Sequence, residues 1–342
     1  MSFHALPQNP VIALAGCTGA VGQEMIKVLE ERDFPYSKLK LLASARSAGK
    51  TITVKGEAIE VEEMSPSSFD GVDLAFFAAG SEMSLSYKDI LREKGVIMID
   101  NSSAFRMHED VPLIVPEVNP EDVFTHQGII ANPNCSTIQM LVALKPLHDL
   151  CPLKRVVVTT YQAASGAGAP AMQELYDQTQ DFLDGKELTV KAFSDQIAFN
   201  VIPHIDVFLD DGSTKEEWKM IEETKKILHE PDLKVAANCA RVPVLRSHSE
   251  YINVEFEDEV SFDEVQDALA KAPGIIMMDN PDENLYPMPA FTQGKDEVYI
   301  GRLRQDFSVD SGVSFWNVAD QIKKGAALNA VQIAEVLLTY EL

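Results

Sequence analysis

The sequence holds four cysteines in 342 residues, Cys17, Cys135, Cys151 and Cys239, and no two of them form a CxxC pair. A disulfide framework and a thiolate zinc site are thereby excluded as organising principles. The seven histidines include no HExxH pair, so no metal is expected. A basic block is missing too: 29 Lys and Arg stand against 53 Asp and Glu, a formal charge of −24. A surface this acidic repels a phosphate backbone, which argues against a nucleic-acid partner. The longest apolar runs, such as Leu74–Ala79 and Val96–Ile99, fall far short of the roughly 18 residues that a spanning helix needs. Met1–Pro10 lacks the charged-then-apolar order of a signal peptide. A soluble, cytoplasmic chain without a membrane partner is expected, and at roughly 150 residues per domain its length suits two domains.

What is present first is alternation. Short apolar segments at Val11–Ala15, Leu39–Ser44, Asp73–Ala78, Val96–Asp100 and Gly128–Ala131 read as strands, with helices at Ala20–Arg32 and near Ser86–Lys94. Strand–helix alternation at this spacing predicts a parallel, doubly wound α/β sheet of Rossmann type. The second half has another rhythm. Strands are expected at Arg155–Gln162, Val235–Val242, Glu250–Glu257, Tyr299–Arg304 and Val313–Asn317, with helices at Ala171–Leu183 and Phe262–Ala272. Few crossovers imply an α+β domain with a mixed, largely antiparallel sheet, helices covering one face. A final helix near Gln321–Leu338 is apolar enough to pack back on the first domain. The expected division is 1–133, completed by 321–342, and 134–320.

The first strand runs straight into Gly16-Cys17-Thr18-Gly19-Ala20-Val21-Gly22, which opens a helix. Glycines permit a tight turn and close approach to a pyrophosphate, whose charge suits the N–H groups of the helix N-terminus. The spacing is GxxGxxG rather than GxGxxG, and the strand–loop–helix context carries the reading. Gly16, Thr18, Gly19, Ala20, Val21 and Gly22 are the candidate phosphate contacts. Where an NAD domain places an acid after its second strand, this chain has Ser44-Ala45-Arg46-Ser47. A guanidinium flanked by hydroxyls suits a ribose 2′-phosphate, which points to NADP.

Asn134-Cys135-Ser136-Thr137 follows a short apolar strand and precedes a convincing helix at Ile138–His148. A cysteine at a helix N-terminus is favoured as thiolate, and nearby amides can hold an oxyanion. From position alone, Cys135 is either a nucleophile or a small buried filler. Cys151 and Cys239 are expected to be fillers.

Asn134–Thr137, with Gly16–Gly22 before it, Ser165-Gly166-Ala167-Gly168 after it and Gly325-Ala326-Ala327 in the last helix, resembles the aspartate-β-semialdehyde dehydrogenases. The resemblance runs essentially end to end. It implies a dinucleotide-binding domain joined to a glyceraldehyde-3-phosphate-dehydrogenase-like catalytic and dimerisation domain, in a homodimer or homotetramer. It also implies reduction of aspartyl phosphate by NADPH to aspartate semialdehyde and phosphate, on the route to lysine, threonine, methionine and diaminopimelate. Cys135 would form an acyl thioester, which gives a carboxylate-level carbon the electrophilic bond that hydride transfer needs. By the same resemblance Gln162 contacts the substrate, while Ser165 and Gly166 lie near the nicotinamide. His248 is the acid and base that takes the thiol proton and returns it to the aldehyde oxygen. Arg241 grips the α-carboxylate, Glu216 the ammonium, and Lys219 with Arg106 the phosphate; Asn134 belongs to the substrate site and Gln321 to the cofactor site. Cys17 departs from the alanine common in relatives, either as a small filler or as an oxidation-sensitive thiol.

Two other readings stay open. An N-acetyl-γ-glutamyl-phosphate reductase shares the architecture, but its substrate's amine is acetylated and gives Glu216 no purpose. A catalytically dead NADP-sensing scaffold has no need of Cys135, Gln162, Arg241 and His248 together.

Overall fold

A computed structural model describes residues 6–339; His4 and the termini of the expected 1–133 and 321–342 segments lie outside the described residues. The chain falls into two compact units, Met1–Asn134 with Ala326–Leu342 and Cys135–Gly325.

The first unit is a seven-stranded sheet in the order β3-β4-β2-β1-β5-β6-β7. Its strands are β1 (Val11–Ala15), β2 (Lys38–Ala43), β3 (Thr51–Val54), β4 (Glu57–Glu63), β5 (Leu74–Phe77), β6 (Ile97–Asp100) and β7 (Ile129–Ala131). All neighbours run parallel except β3 and β4. Consecutive residues of β5 point to opposite faces, and each finds an apolar layer. Phe76 meets Phe34 behind α1 (Ala20–Glu31), and Phe77 stacks with Phe69 and Tyr87 of α2 (Ser81–Lys94). Burial on both faces is why these strands read as unbroken apolar runs. The β3–β4 hairpin escapes the sequence expectation because β3 is only four residues long and four of the seven residues of β4 are glutamates, which hides the apolar pattern of its strand. Its turn is Lys55-Gly56, both left-handed at φ +48° and +82°, a geometry that matches the twist of the flanking strands.

The second unit has a six-stranded mixed sheet in the order β11-β12-β13-β10-β8-β9. Its strands are β8 (Leu153–Gln162), β9 (Lys234–Arg241), β10 (His248–Phe256), β11 (Ile275–Met277), β12 (Val298–Gln305) and β13 (Gly312–Ala319). The β8–β10, β10–β13 and β12–β13 pairs are antiparallel; β8–β9 and β11–β12 are parallel. Helices α3 (Cys135–Leu150), α5 (Lys215–Leu228) and α6 (Phe262–Lys271) pack on one face. Helix α4 (Ala169–Leu183) follows the glycine-rich turn, and α7 (Pro289–Thr292) is a single turn.

The expected final helix begins differently. Lys323–Leu328 is wound as a π-helix, and the α-helix proper, α8, spans Asn329–Leu338. Asp320 explains the start, since its carboxylate accepts the N–H groups of Ile322 and Lys323, each at 3.0 Å. In the division into compact units, residues 321–325 belong with the second unit and Ala326–Leu342 with the first. No helix among the described residues is long and apolar enough to cross a membrane.

Candidate active site

In the first unit, the glycine loop is shaped by steric necessity. Gly16 has φ +84°, and a methyl group there would lie 2.4 Å from the carbonyl oxygen of Ala78. At Gly22 it would lie 2.3 Å from the oxygen of Gly16. Gly19 is the N-cap of α1 and brings no capping side chain, so the first amides of the helix are left for an anion. Thr18 and Gly19 are exposed; Ala20 and Val21 begin the helix. Cys17 is fully buried, and burial pushes its thiol up to about 11, which favours the filler over an oxidation-sensitive group. Beyond β2, Ser44 and Arg46 are exposed, Ser47 is buried, and the N–H of Ser47 donates to the oxygen of Ser44 at 2.8 Å. Arg46 stands on the outside of this turn with no ion pair among the described residues.

Arg106 is also in this unit. It is buried, and it donates from Nε to the carbonyl of Asn132 at 3.0 Å and from Nη2 to that of Asn101 at 3.1 Å. Asn132 in turn bonds Asn101 and the oxygen of Ala326 through its amide nitrogen. Asn134, two residues further on, is buried.

The second unit collects the chemistry, and register does the collecting. Gln162 on β8 is opposite Arg241 on β9, and His248 begins β10 beside them. Ladder partners project from the same face, here the face that the helices cover. Arg241 Nη1 donates to the carbonyl of Ala163 at 2.8 Å, and the N–H of Ala163 donates to Nδ1 of His248 at 3.0 Å. The next turn passes close over both: a methyl group on Gly166 would fall 2.7 Å from Nη1 of Arg241 and 3.1 Å from Nε2 of His248. Gly166 is thus a matter of space, and Ser165 beside it is buried.

His248 is completely buried, and its pKa lies well below the usual imidazole range because of that burial and because of the Arg241 charge. A backbone N–H occupies its Nδ1, so the neutral ring carries its proton on Nε2. That nitrogen has no hydrogen-bond partner in the structure. With its Nδ1 engaged by the Ala163 N–H, the ring meets the expected acid-and-base role from the acid side, through Nε2. As placed, His248 offers a donor.

Cys135 is the first residue of α3 and is half-buried. Gly325, in the π-helical turn, backs it so closely that a methyl group there would lie 2.8 Å from its Cβ. Gln162 is buried and donates from Nε2 to Oε1 of Glu216 at 3.1 Å. Oε2 of Glu216 accepts from Lys219 at 3.1 Å, and Lys219 also reaches Asp206 at 2.7 Å. Burial opposes the Lys219 charge, yet the two carboxylates raise its pKa. Neighbouring Glu217 is otherwise engaged, capping α5 through Thr214 and accepting the N–H of Cys239 at 3.0 Å.

Gln321 is buried and turned inward. Its amide donates to Ser165 Oγ, and its oxygen accepts the N–H of Ser247 at 2.9 Å. Ser247 immediately precedes His248 and sits at φ +76°, a conformation that a non-glycine residue keeps only when it is held. Arg246, bonded to Asp320 at 2.6 Å, holds it from the other side. Sequence reasoning missed Asp206, Asp320 and the strained Ser247. Asp206 lies in an irregular stretch at φ +69°, where no periodicity marks it out.

Two family models match the chain: the semialdehyde dehydrogenase NAD binding domain over residues 11–126 and the semialdehyde dehydrogenase dimerisation domain over residues 144–324. The chain is 54% identical over 331 residues to the aspartate-semialdehyde dehydrogenase of Aquifex aeolicus, covering 96% of this chain and 97% of the relative. Among solved structures, aspartate semialdehyde dehydrogenase II of Vibrio cholerae complexed with ASA superposes with a TM-score of 0.94 at 46% identity, covering 98% of this chain and 100% of the other. The enzyme of Candida albicans with NADP gives 0.74 at 26% identity, covering 96% and 98%.

Proposed function

The chain belongs to the aspartate-semialdehyde dehydrogenase family, and on that footing we propose that it converts L-aspartyl phosphate, NADPH and a proton to aspartate semialdehyde, NADP and phosphate. The route supplied is the one to lysine, threonine, methionine and diaminopimelate. The observation that carries the residue assignments is the partnerless Nε2 of His248, beside Arg241 under Gly166 and next to the Gln162–Glu216 pair.

Cys135 attacks the acyl carbon, the carbon–oxygen bond to phosphate breaks, and a thioester remains. The N-terminus of α3 and the positive charge of Arg241 favour the thiolate that does this. His248 donates from Nε2 to the carbonyl oxygen as negative charge develops there, the work of an oxyanion hole. Its neutrality suits that task, since a donor already fixed in place needs no reorganisation. Arg241 takes the α-carboxylate, a planar bidentate task. Glu216 takes the ammonium, and this acid disfavours the acetylated substrate of the related reductase. Lys219 and Arg106 hold the phosphate, Asn134 and Gln162 orient the acyl group, and Gly325 leaves the room that Cys135 needs at the start of α3.

Gly16, Thr18, Gly19, Ala20, Val21 and Gly22 would cradle the pyrophosphate of NADP, for which the two sterically required glycines and the uncapped helix leave room. Ser44, Arg46 and Ser47 would read the 2′-phosphate, while Ser165 and Gly166 face the nicotinamide. Gln321 supports them by bracing Ser165. A bound nicotinamide would supply the hydride, after which the carbon–sulfur bond breaks and Cys135 returns as the thiolate. We assign the assembly as a homodimer, with a homotetramer as a pair of such dimers, working in the cytoplasm where its soluble reactants occur.

The test follows absorbance at 340 nm with aspartate semialdehyde, phosphate and NADP. Phosphate-dependent NADPH formation is expected; none from a protein that still binds NADPH would favour the related reductase. Arg46→Asp is expected to weaken NADPH binding about 10- to 100-fold more than NADH binding, charge-assisted contacts to phosphate being the strong ones. Equal losses would remove Arg46 from the 2′-phosphate site.

A further inference from the structure

A second polar row lies directly beneath the catalytic one, and nothing in the chemistry so far uses it. Register aligns Asn317 of β13 with Glu250 of β10, Glu250 with Thr160 of β8, and Thr160 with Cys239 of β9. All four side chains are buried on the helix-covered face, at exposures of 0, 0, 0 and 2%. Each of the last three is two residues from a site group on its own strand: Glu250 from His248, Thr160 from Gln162 and Cys239 from Arg241. Asn317 ties the row to the nucleophile's helix. Its amide donates at 3.0 Å to Oε2 of Glu250 and also at 3.0 Å to the backbone carbonyl of Gln139. Gln139 is four residues after Cys135, hence on the same side of α3 and one turn further along.

The chemical state of Glu250 follows from its surroundings. Oε1 has no hydrogen-bond partner, and the pull of Gln139 and Asn317 toward the charged form is smaller than the opposing effect of burial. No cation bonds the carboxyl among the described residues. An ionised carboxylate with one neutral donor, sealed from water, is a costly arrangement, and burial holds the pKa of Glu250 well above the usual carboxyl range. A protonated acid avoids that cost and still accepts from Asn317 through Oε2.

We propose that Glu250 is a positioning residue, a neutral carboxylic acid that with Asn317 fixes the first two turns of α3 against β10 and so sets the height of Cys135 over His248 and Arg241. This rests on the reading of Cys135 and His248 as reacting groups. Misplacement of a reacting atom by about 1 Å costs on the order of 100-fold in rate, and kcat then falls while substrate binding is spared.

The test compares Glu250→Gln and Glu250→Leu in the full-length protein. Kinetics are measured with aspartate semialdehyde, and the rate of Cys135 alkylation by iodoacetamide is measured without substrate. Gln keeps size and neutrality, and its expected kcat is within about 3-fold of the parent. Leu removes the bonds, and its expected kcat is about 10- to 100-fold lower, with KM within about 3-fold and slower alkylation. Parental kcat in the Leu variant overturns the proposal, as does a Gln variant as impaired as Leu, or a loss in KM alone. Should the Leu variant not fold, Asn317→Ala deletes the same tie, and a parental kcat there has the same consequence. Cys135→Ser separates the two readings, because full activity in it breaks the thioester assignment, whereas its inactivity beside an active Leu variant breaks only the role of Glu250.

Discussion

The two faces of the mixed sheet differ by a single step along each strand. Thr160 and Gln162 point under the helices, and Tyr161 between them points away. Glu250 points in and Tyr251 out; Asn317 points in and Trp316 out. The inner face is closed; it is polar at one end, where Asn317 bonds Glu250 and Gln162 bonds Thr160, and apolar beyond it at Val158, Ile252 and Phe315. On the outer face Tyr161, Tyr251 and Trp316 form a half-exposed aromatic group, with ring centroids 5.5 and 6.0 Å apart along the chain of contacts and Arg304 over Tyr251 at 5.0 Å. Val157, Thr159 and Asn253 continue this face and are likewise only half-buried. A period of two thus lets one sheet carry the buried site residues on one side and a half-exposed aromatic group on the other. The same strands support both, and the substitutions that damage each differ.

Three changes separate the faces, beginning with the most damaging. Cys135→Ser, over the inner face, is expected to lower turnover by ~10⁴-fold or more while NADPH binding in a fluorescence titration stays near parental. Turnover near the parental level would remove the thioester from the mechanism. Gly166→Ala leaves all charges in place and tests the fit alone. Its methyl group meets Arg241 and His248, both buried and hydrogen-bonded, so kcat/KM is expected to fall by about 10- to 100-fold. A parental value would mean that the packing over the inner row has slack. Val157→Asp puts a charge beside Glu255 and Asn253 on the outer face. Light scattering is expected to show half the parental mass, since a desolvated unpaired charge disfavours a docked surface. An unchanged mass would mean that the second copy binds elsewhere.

The difference between the faces also explains what could be read in advance. The glycine loop, Arg46 after β2 and Cys135 at a helix start are local signals, each visible within a few residues. Glu216 comes from the resemblance, and in the structure its neighbour Glu217 is spent on the α5 cap. What stayed hidden is set by pairing between distant strands. Nothing near Glu250 announces that Asn317 will be its partner, or that Ala163 will take the lone pair of His248 through its backbone. Asp320 was invisible for the same reason, since its role lies in four N–H donors brought together from three segments. The β3–β4 hairpin escaped by a different route, because the alternation of β3 lasts only four residues and the glutamates of β4 dilute its apolar positions.

The smallest expected effect tests the inner face without touching the reaction. Few titrating groups lie near Glu250: Cys239 shares its row across β8, and His248 lies two residues away on its own strand. Burial raises the folded-state pKa of Glu250 well above the ordinary carboxyl value of 4.5. In the unfolded chain it ionises near that ordinary value. Below pH 4.5 both states hold the proton and the group is neutral with respect to pH. Above it the unfolded chain releases the proton first, so stability is lost as pH rises, at about 1.4 kcal/mol per unit until the folded group also ionises. Glu250→Gln has no proton to hold back. Its melting temperature relative to the parent is therefore expected to rise between pH 5 and pH 8, by a few °C for a domain of this size. A constant difference across that range would mean that the carboxyl is already ionised in the folded protein, and that the inner face carries a charge that its geometry gives no partner.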